Sequence, residues 1–205
     1  MKIGILGGSF DPIHNGHIHM AMSAQNSHCL DKVLFIPAGH SPNKDEQKMT
    51  DKKHRFNMSK EAINEFNLLN HTDSFIVSDF EIKRDCKSYT YLTLQELKKK
   101  YINDDLFFLM GADSLDYFEK WKNPDIISSL VTILVIVREN FSDTAIHNKI
   151  EFLKKEYNTN VDLVRCKPYN VSSTLIRERI KSNSNIKGMV PDSVIEYIKK
   201  NGLYE

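Results

Sequence analysis

Residues 2–17 read "KIGILGGSFDPIHNGH", an apolar run that breaks at Gly7 and continues through two glycines, a proline and two histidines. The apolar run predicts a short strand, and the helix after it is predicted to begin near Asn15 or Gly16. Glycines directly after a strand allow positive φ and the close approach of another group to the main chain. The free N–H groups at a helix start attract anions. This stretch therefore predicts a strand–turn–helix unit with a phosphate site at Gly7 and Gly8.

The two histidines of this stretch, His14 and His17, are three residues apart, which puts both rings at the helix entrance as donors to an anion. Two structural alternatives exist: the glycines only turn the chain, or the histidines cap a helix or bind zinc. Zinc is disfavoured because no cysteine or carboxylate stands nearby with ligand spacing. Neither the G-x-G-x-x-G fingerprint nor the G-x-x-x-x-G-K-[ST] loop occurs in the chain.

Short apolar runs alternate with amphipathic stretches along the chain, as in βαβ units with a parallel sheet. Several runs are apolar throughout, which is typical of strands covered on both faces. The predicted fold is a doubly wound α/β sheet, whose ligands bind beyond the carboxyl ends of the strands. The predicted strands are 2–6, 32–36, 75–78, 106–110, 131–137 and 161–164, and the predicted helices are 16–28, 51–66, 90–101, 113–129, 144–156, 173–182 and 191–200.

The totals favour one soluble unit of 205 residues with a net charge of +1, which excludes a strongly basic nucleic-acid-binding domain. We expect a single domain over residues 1–205, with a core at 1–165 and a helical segment at 166–205 that completes the phosphate site. Three widely spaced cysteines argue for free thiols and a cytoplasmic protein. The longest apolar stretch is too short to cross a bilayer, so no membrane role is expected.

A second anion-binding pattern, "VSSTLIRERI" at residues 171–180, lies near the end of the chain. It predicts hydroxyls of Ser172, Ser173 and Thr174 at a helix start, with Arg177 one turn inside. A guanidinium is a fork of donors suited to phosphate. The alternative is an ordinary helix cap with an exposed arginine.

Together, the two segments closely resemble the (H/T)xGH nucleotidyltransferases, with His14, Gly16 and His17 in the signature and "VSSTLIR" in the I-S-S-T-x-I-R motif. The resemblance implies a Rossmann-like fold and transfer of a nucleoside monophosphate. It implies catalytic roles for His14, His17, Lys44 and Arg177. The residues that it implies for ATP binding are Gly7, Gly8, Ser9, Phe10, His14, His17, Gly111, Asp113, Arg138, Ser172, Ser173, Thr174 and Arg177.

Three further segments, "SYTYLTL" from Ser88, "GADSLDYFEKW" at 111–121 and "VPDSVIEYIKKNGLY" at 190–204, resemble bacterial nicotinate-nucleotide adenylyltransferases. That resemblance covers essentially the whole chain and implies mononucleotide binding by Lys44, Thr90, Tyr117 and Trp121, with the indole on the pyridine ring. An indole face suits a flat acceptor, although core packing is the alternative for Trp121. The chain departs from the family pattern at Asn43, where a histidine is usual, and at Leu92, where an aspartate is usual.

The implied reaction transfers AMP from ATP to nicotinate mononucleotide in NAD biosynthesis and releases pyrophosphate. Mg²⁺ is expected with ATP, although the sequence offers no dedicated carboxylate cage and no protein metal ligand is predicted. Alternatives are an adenylyltransferase for nicotinamide mononucleotide or another acceptor of the group, and a non-catalytic module that senses nucleotides. No nucleic-acid partner is expected, and homo-oligomerisation is left open.

Overall fold

A computed structural model describes residues 1–41, 49–138 and 143–205. Within these residues the strands are β1 (Lys2–Gly8), β2 (Lys32–Pro37), β3 (Phe75–Val77), β4 (Asp105–Gly111), β5 (Thr132–Arg138) and β6 (Val161–Cys166). The helices are α1 (Asn15–His28), α2 (Lys52–Leu69), α3 (Thr90–Lys100), α4 (Ala112–Leu115), α5 (Pro124–Leu130), α6 (Asp143–Tyr157), α7 (Ser173–Lys181) and α8 (Asp192–Asn201). A 3₁₀ turn lies at Phe118–Lys120.

The strands form a parallel sheet in the order β3-β2-β1-β4-β5-β6. The register pairs Ile3 with Leu106, Leu109 with Leu134 and Val135 with Leu163. The order reverses at β1 and β4, the switch point at which sheets of this topology bind ligands. The predicted doubly wound, Rossmann-like α/β fold is confirmed, and all six predicted strands are present.

The predicted helix over 113–129 is wrong, because this stretch is broken into α4, the 3₁₀ turn and α5. Trp121 is extended, with φ −70° and ψ 157°. Asn123 is left-handed, with φ 53°, and Pro124 follows it at the first turn of α5. Proline disfavours helical geometry in the residue before it, so one continuous helix cannot pass this point.

By its internal contacts the chain divides into two compact units. Unit 1 comprises Met1–Leu6, Met20–Val33 and Tyr89–Pro168, and unit 2 comprises Gly7–His19, Leu34–Ser88 and Tyr169–Glu205. In unit 1 the buried side chains of β5, including Ile133 and Val135, form part of the core. In unit 2 the ring of Phe75 packs on Phe35 at 5.4 Å and on Phe66 at 4.5 Å. The single domain with a boundary at 165/166 stays a prediction. No helix in the described part of the chain has the length and apolar character needed to cross a bilayer.

Candidate functional site

The connection from β1 to α1 turns at Phe10, which has φ 47°, rather than at the predicted glycines. Of the glycines in the described residues, only Gly188 and Gly202 have positive φ, so the positive φ that Gly7 and Gly8 allow is not used here. Gly8 instead permits a close approach, because a Cβ there would lie 2.8 Å from the Phe10 ring. Phe10 as a whole residue is only 2% exposed, so its ring belongs to the core of this loop.

The two imidazoles at the start of α1 stack, with ring centroids 3.7 Å apart and planes inclined by 23°. The main-chain N–H of His14 donates to Nδ1 of His17 at 3.2 Å. In a neutral ring that accepts through Nδ1, the proton lies on Nε2. The edge contact of Phe10 with the His17 ring, at 4.9 Å, further restrains its orientation. His17 is therefore set up to donate through Nε2.

His14 is more deeply enclosed than its neighbour, with 8% of its surface exposed. Burial lowers the pKa of His14 to about 4, so the ring is neutral at physiological pH. Its Nδ1 has no hydrogen-bond partner among the described residues. Gly16 leaves room for this ring, since a Cβ there would lie 3.0 Å from the same Nδ1.

Helix α7 approaches the same loop within unit 2. Ser173 Oγ donates to the carbonyl of Pro12 at 2.9 Å, and Arg177 Nη1 donates to the carbonyl of Asp11 at 2.7 Å. Arg177 Nη2 also donates to Thr174 Oγ1 at 3.2 Å. Ser172 caps the helix by accepting from the N–H of Leu175 at 3.1 Å, so it has the capping role that was the alternative for this segment. The structure thus brings the early and late motifs together.

Arg55 of α2 is a residue of this loop that the sequence patterns did not identify. Its guanidinium donates to the carbonyls of Ser9 at 2.7 Å, Gly39 at 3.0 Å and Thr50 at 3.0 Å. The residue is only 2% exposed. Buried charges need such hydrogen bonds. A charged residue in the apolar stripe of α2 was the available signal, but two of its three partners, Ser9 and Gly39, are 46 and 16 residues away in sequence.

Unit 1 contains Thr90, Tyr117 and Trp121, three of the four residues expected to bind the mononucleotide. Tyr117 is 57% exposed, with the Lys120 ammonium 5.5 Å from its ring centroid. Trp121 is half-buried, and its ring lies 6.0 Å from Phe108 in an edge contact and 5.9 Å from Phe118. The indole therefore packs partly against the core and is partly accessible.

Thr90 is the first residue of α3, beside Tyr89. The Lys122 ammonium lies 4.6 Å from the centroid of the Tyr89 ring. This cation–π contact joins the segment that contains Thr90 to the segment that contains Trp121. The two predicted acceptor segments therefore lie next to each other in unit 1, and neither Tyr89 nor Lys122 was predicted.

An ion pair braces the segment that contains Tyr117 and Trp121. Lys149 of α6 contacts both carboxylate oxygens of Glu119 at 2.6 Å, and it donates to the carbonyl of Asp116 at 3.3 Å. The hydrogen bond from Lys149 lowers the pKa of Glu119. Because both side chains are largely covered, this pair constrains the segment more than an exposed pair would.

The other predicted residues are more scattered. Gly111 is the N-cap of α4, and Asp113 lies inside the first turn of that helix and is exposed. Arg138 is the last residue of β5. Lys44 and Asn43 lie outside the described residues. Leu92 lies in α3.

No group of three or more histidine, cysteine, aspartate or glutamate side chains in residues 1–41, 49–138 and 143–205 is arranged to hold a metal ion.

Comparison with known proteins is consistent with this geometry. The model of the cytidylyltransferase-like family matches residues 5–179. A Clostridium tetani protein named "Probable nicotinate-nucleotide adenylyltransferase" is 42% identical over 204 residues, covering 99% of this chain and 98% of that protein. A protein of the same name from Clostridium botulinum strain Alaska E43 is 39% identical, covering 100% of this chain and 98% of that protein.

Solved structures share the fold. Plasmodium falciparum nicotinic acid mononucleotide adenylyltransferase complexed with APC matches with a TM-score of 0.75 at 21% identity, covering 99% of this chain and 96% of that one. The same enzyme complexed with NaAD matches with a TM-score of 0.75 at 22% identity, covering 99% and 97%. With the full-length relatives and the two converging motifs, these findings show that the chain belongs to the nicotinate-nucleotide adenylyltransferases of the cytidylyltransferase-like family.

Proposed function

We propose that this protein transfers AMP from ATP to nicotinate mononucleotide and releases deamido-NAD and pyrophosphate. The observation that carries the proposal is the convergence of α7 on the loop before α1, through the bonds of Ser173 to Pro12 and of Arg177 to Asp11. This brings two helix N-termini, an arginine and a histidine pair to one loop. Main-chain N–H groups, imidazole donors and a guanidinium are the groups that bind a polyphosphate.

The reaction needs no protein nucleophile. A 5′-phosphate oxygen of nicotinate mononucleotide attacks the α-phosphorus of ATP, and the bond from that phosphorus to the bridging β-phosphate oxygen breaks. Pyrophosphate departs with the electron pair. The acceptor is already an anion at neutral pH, so positioning, which can supply roughly 7–11 kcal/mol, and charge stabilisation are the main demands on the protein.

The residues of unit 2 meet those demands in different ways. His17 donates through Nε2 to phosphate oxygens, and the neutral ring of His14 supports it by stacking and adds a further donor. Arg177 balances the charge of the polyphosphate while its Nη1 holds the loop. Gly7, Gly8 and Ser9 contribute the main chain next to the phosphates. We assign Lys44 a counter-charge role from the family resemblance alone.

In unit 1, the exposed ring of Tyr117 and the accessible part of Trp121 receive the pyridine ring, and Thr90 contacts its carboxylate region. Gly111, Asp113 and Arg138 contribute to the nucleotide side of the reaction. The described side chains include no group of three or more metal ligands, so the phosphates of ATP would hold Mg²⁺. The ion would supply positive charge next to the pyrophosphate.

We further propose that the protein works in the cytoplasm on small-molecule substrates. The three cysteines are free thiols, and Cys29 and Cys86 are exposed, which is the usual state in a reducing compartment.

The test is pyrophosphate release with ATP and either the acid or the amide mononucleotide. We expect turnover with the acid and a kcat/KM for the amide that is lower by tenfold or more, on the order of a lost charged hydrogen bond. Faster turnover of the amide would assign the enzyme to nicotinamide mononucleotide. ATP binding without pyrophosphate release from either acceptor would favour a sensing module instead.

A further inference from the structure

Asp11 occupies the centre of the loop that the two anion-binding motifs share. Its residue surface is only 4% exposed. Its Oδ2 accepts from the N–H of Thr50 at 3.3 Å, and its main-chain carbonyl accepts from Arg177. A buried carboxylate is tolerated only when its oxygens are bonded, so the donors to Asp11 determine where this loop lies.

The shortest of the side-chain bonds to that carboxylate comes from Tyr204, whose hydroxyl donates to Asp11 Oδ1 at 2.7 Å. Tyr204 follows α8 and has φ 68°. A tyrosine in this left-handed region is strained, and such strain persists where surrounding contacts hold it. Burial and the neighbouring Asp11 carboxylate raise the pKa of Tyr204, so the hydroxyl keeps its proton at working pH.

The segment that contains Tyr204 is itself anchored within unit 2. Glu65 of α2 accepts from the N–H groups of Asp192 at 3.3 Å and Ser193 at 2.7 Å, which satisfies free donors at the start of α8. Helices α2 and α8 pack along each other. Tyr204 therefore connects the packed helices α2 and α8 to Asp11, in the loop before α1.

We propose that Tyr204 is a positioning residue for adenylyl transfer: through Asp11 it holds the loop at the position where Arg177 and Ser173 also bind it. Without the hydroxyl, Asp11 Oδ1 loses its short bond and the loop shifts relative to α7. Tyr204 acts through the loop and touches no reacting atom. The expected loss of kcat rests on the proposed function. The expected effect of Tyr204 on ATP binding does not depend on which acceptor the enzyme uses.

The test compares Tyr204→Phe with Tyr197→Phe. The Tyr197 hydroxyl also joins α8 to α2, through Asn57 Nδ2 at 3.1 Å and His54 Nδ1 at 3.0 Å, and it makes none of the loop contacts described above. We expect Tyr204→Phe to lower kcat by tenfold to a hundredfold, as roughly expected for misplaced reacting groups. Tyr197→Phe should keep kcat within about twofold at a similar loss of Tm. The proposal would be overturned if kcat fell equally in both variants in proportion to the fall in Tm. It would also be overturned if kcat were unchanged in Tyr204→Phe.

A double-mutant cycle with Asp11→Ala, which removes the acceptor oxygens, assigns the effect to the contact. If both residues act through one bond, the double variant should be no slower than the slower single variant, whereas additive losses would refute the route through Asp11. Should Tyr204→Phe not fold, Asp11→Ala is measured in the same way, and a wild-type kcat there would refute the proposal.

Binding of a non-hydrolysable ATP analogue by calorimetry separates this inference from the proposed function. If the wild-type protein does not use nicotinate mononucleotide, the proposed function fails. The Kd of the analogue still measures whether the loop is correctly placed. A Kd that is at least about fivefold higher in Tyr204→Phe than in Tyr197→Phe supports the positioning role, and equal Kd values refute it.

Discussion

His17 is oriented by a main-chain group rather than by a carboxylate. Because its Nδ1 accepts from the N–H of His14, the ring can donate through Nε2 without carrying a charge. In the proposed reaction, a neutral donor would leave the charge of the triphosphate to be balanced by Arg177. The imidazole would then supply hydrogen bonding and the guanidinium charge balance.

Replacing His17 by alanine should lower kcat by about a hundredfold, because one aimed donor contributes on the order of 3 kcal/mol in the transition state. Initial rates at saturating ATP and acceptor measure this. The matched control is His19→Ala, two residues further along α1, which should keep kcat within about twofold. Equal losses in both variants would show that His17 supports the helix rather than the chemistry.

The buried ring of His14 predicts a specific pH dependence of stability. Burial lowers the pKa of His14 from its ordinary 6.5 to about 4 in the folded protein, so between these pH values the unfolded chain binds a proton that the folded chain does not. Above pH 6.5 the buried ring has no effect of this kind, and the free energy of unfolding falls as the pH decreases from 6.5 towards 4. From pH 7 to pH 5, the free energy of unfolding should fall by about 2 kcal/mol more in the wild-type protein than in His14→Gln. Denaturant titrations of both proteins at the two pH values measure the free energy of unfolding. An equal fall in the two proteins would refute the prediction.

At the scale of elements, the segment between β4 and β5 differs most from its sequence pattern. The periodicity of 113–129 resembles one helix, but the extended Trp121 and left-handed Asn123 interrupt it. The break turns Tyr117 and Trp121 out of a regular helix face. Lys149 then holds the resulting short turn through Glu119 and the carbonyl of Asp116.

Lys149→Met should therefore raise the KM for nicotinate mononucleotide by about fivefold, since a partly covered pair contributes roughly 1 kcal/mol. The KM for ATP should change by less than about twofold. Lys154→Met is the control, because Lys154 pairs with Glu151 on the same helix at 3.1 Å but both side chains are well exposed. An equal rise in both KM values would mean that the Lys149–Glu119 pair supports the fold in general rather than the segment of Tyr117 and Trp121.

At the scale of the whole molecule, ligand binding should be visible as stability. A non-hydrolysable ATP analogue at a hundred times its Kd should raise the free energy of unfolding by about 2.7 kcal/mol. Adenosine at the same concentration should give much less, because it lacks the groups that the loop and α7 bind. Thermal unfolding with each ligand measures the difference. Equal shifts would mean that the phosphates contribute little.

The strands and the two motifs could be predicted because their signals are local: apolar runs such as 131–137, and hydroxyls before α7. Arg55 and Tyr204 could not be predicted, because their partners Gly39 and Asp11 lie 16 and 193 residues away. Arg55 does interrupt the apolar stripe of α2, but a local pattern does not identify its partners. The turn at Phe10 was also missed, because glycine is the usual residue at positive φ and two glycines were close by.

The interleaving of the two units constrains how the protein can be made. Each unit is assembled from three separate stretches, and unit 2 needs residues 169–205, which follow every residue of unit 1. During synthesis, unit 1 is complete only at residue 168 and unit 2 only at residue 205. The segment that contains His14 and His17 therefore cannot be joined by α7 until residues 173–181 have been synthesised. For the same reason, no single uninterrupted fragment can be expressed that contains one complete unit and excludes the other.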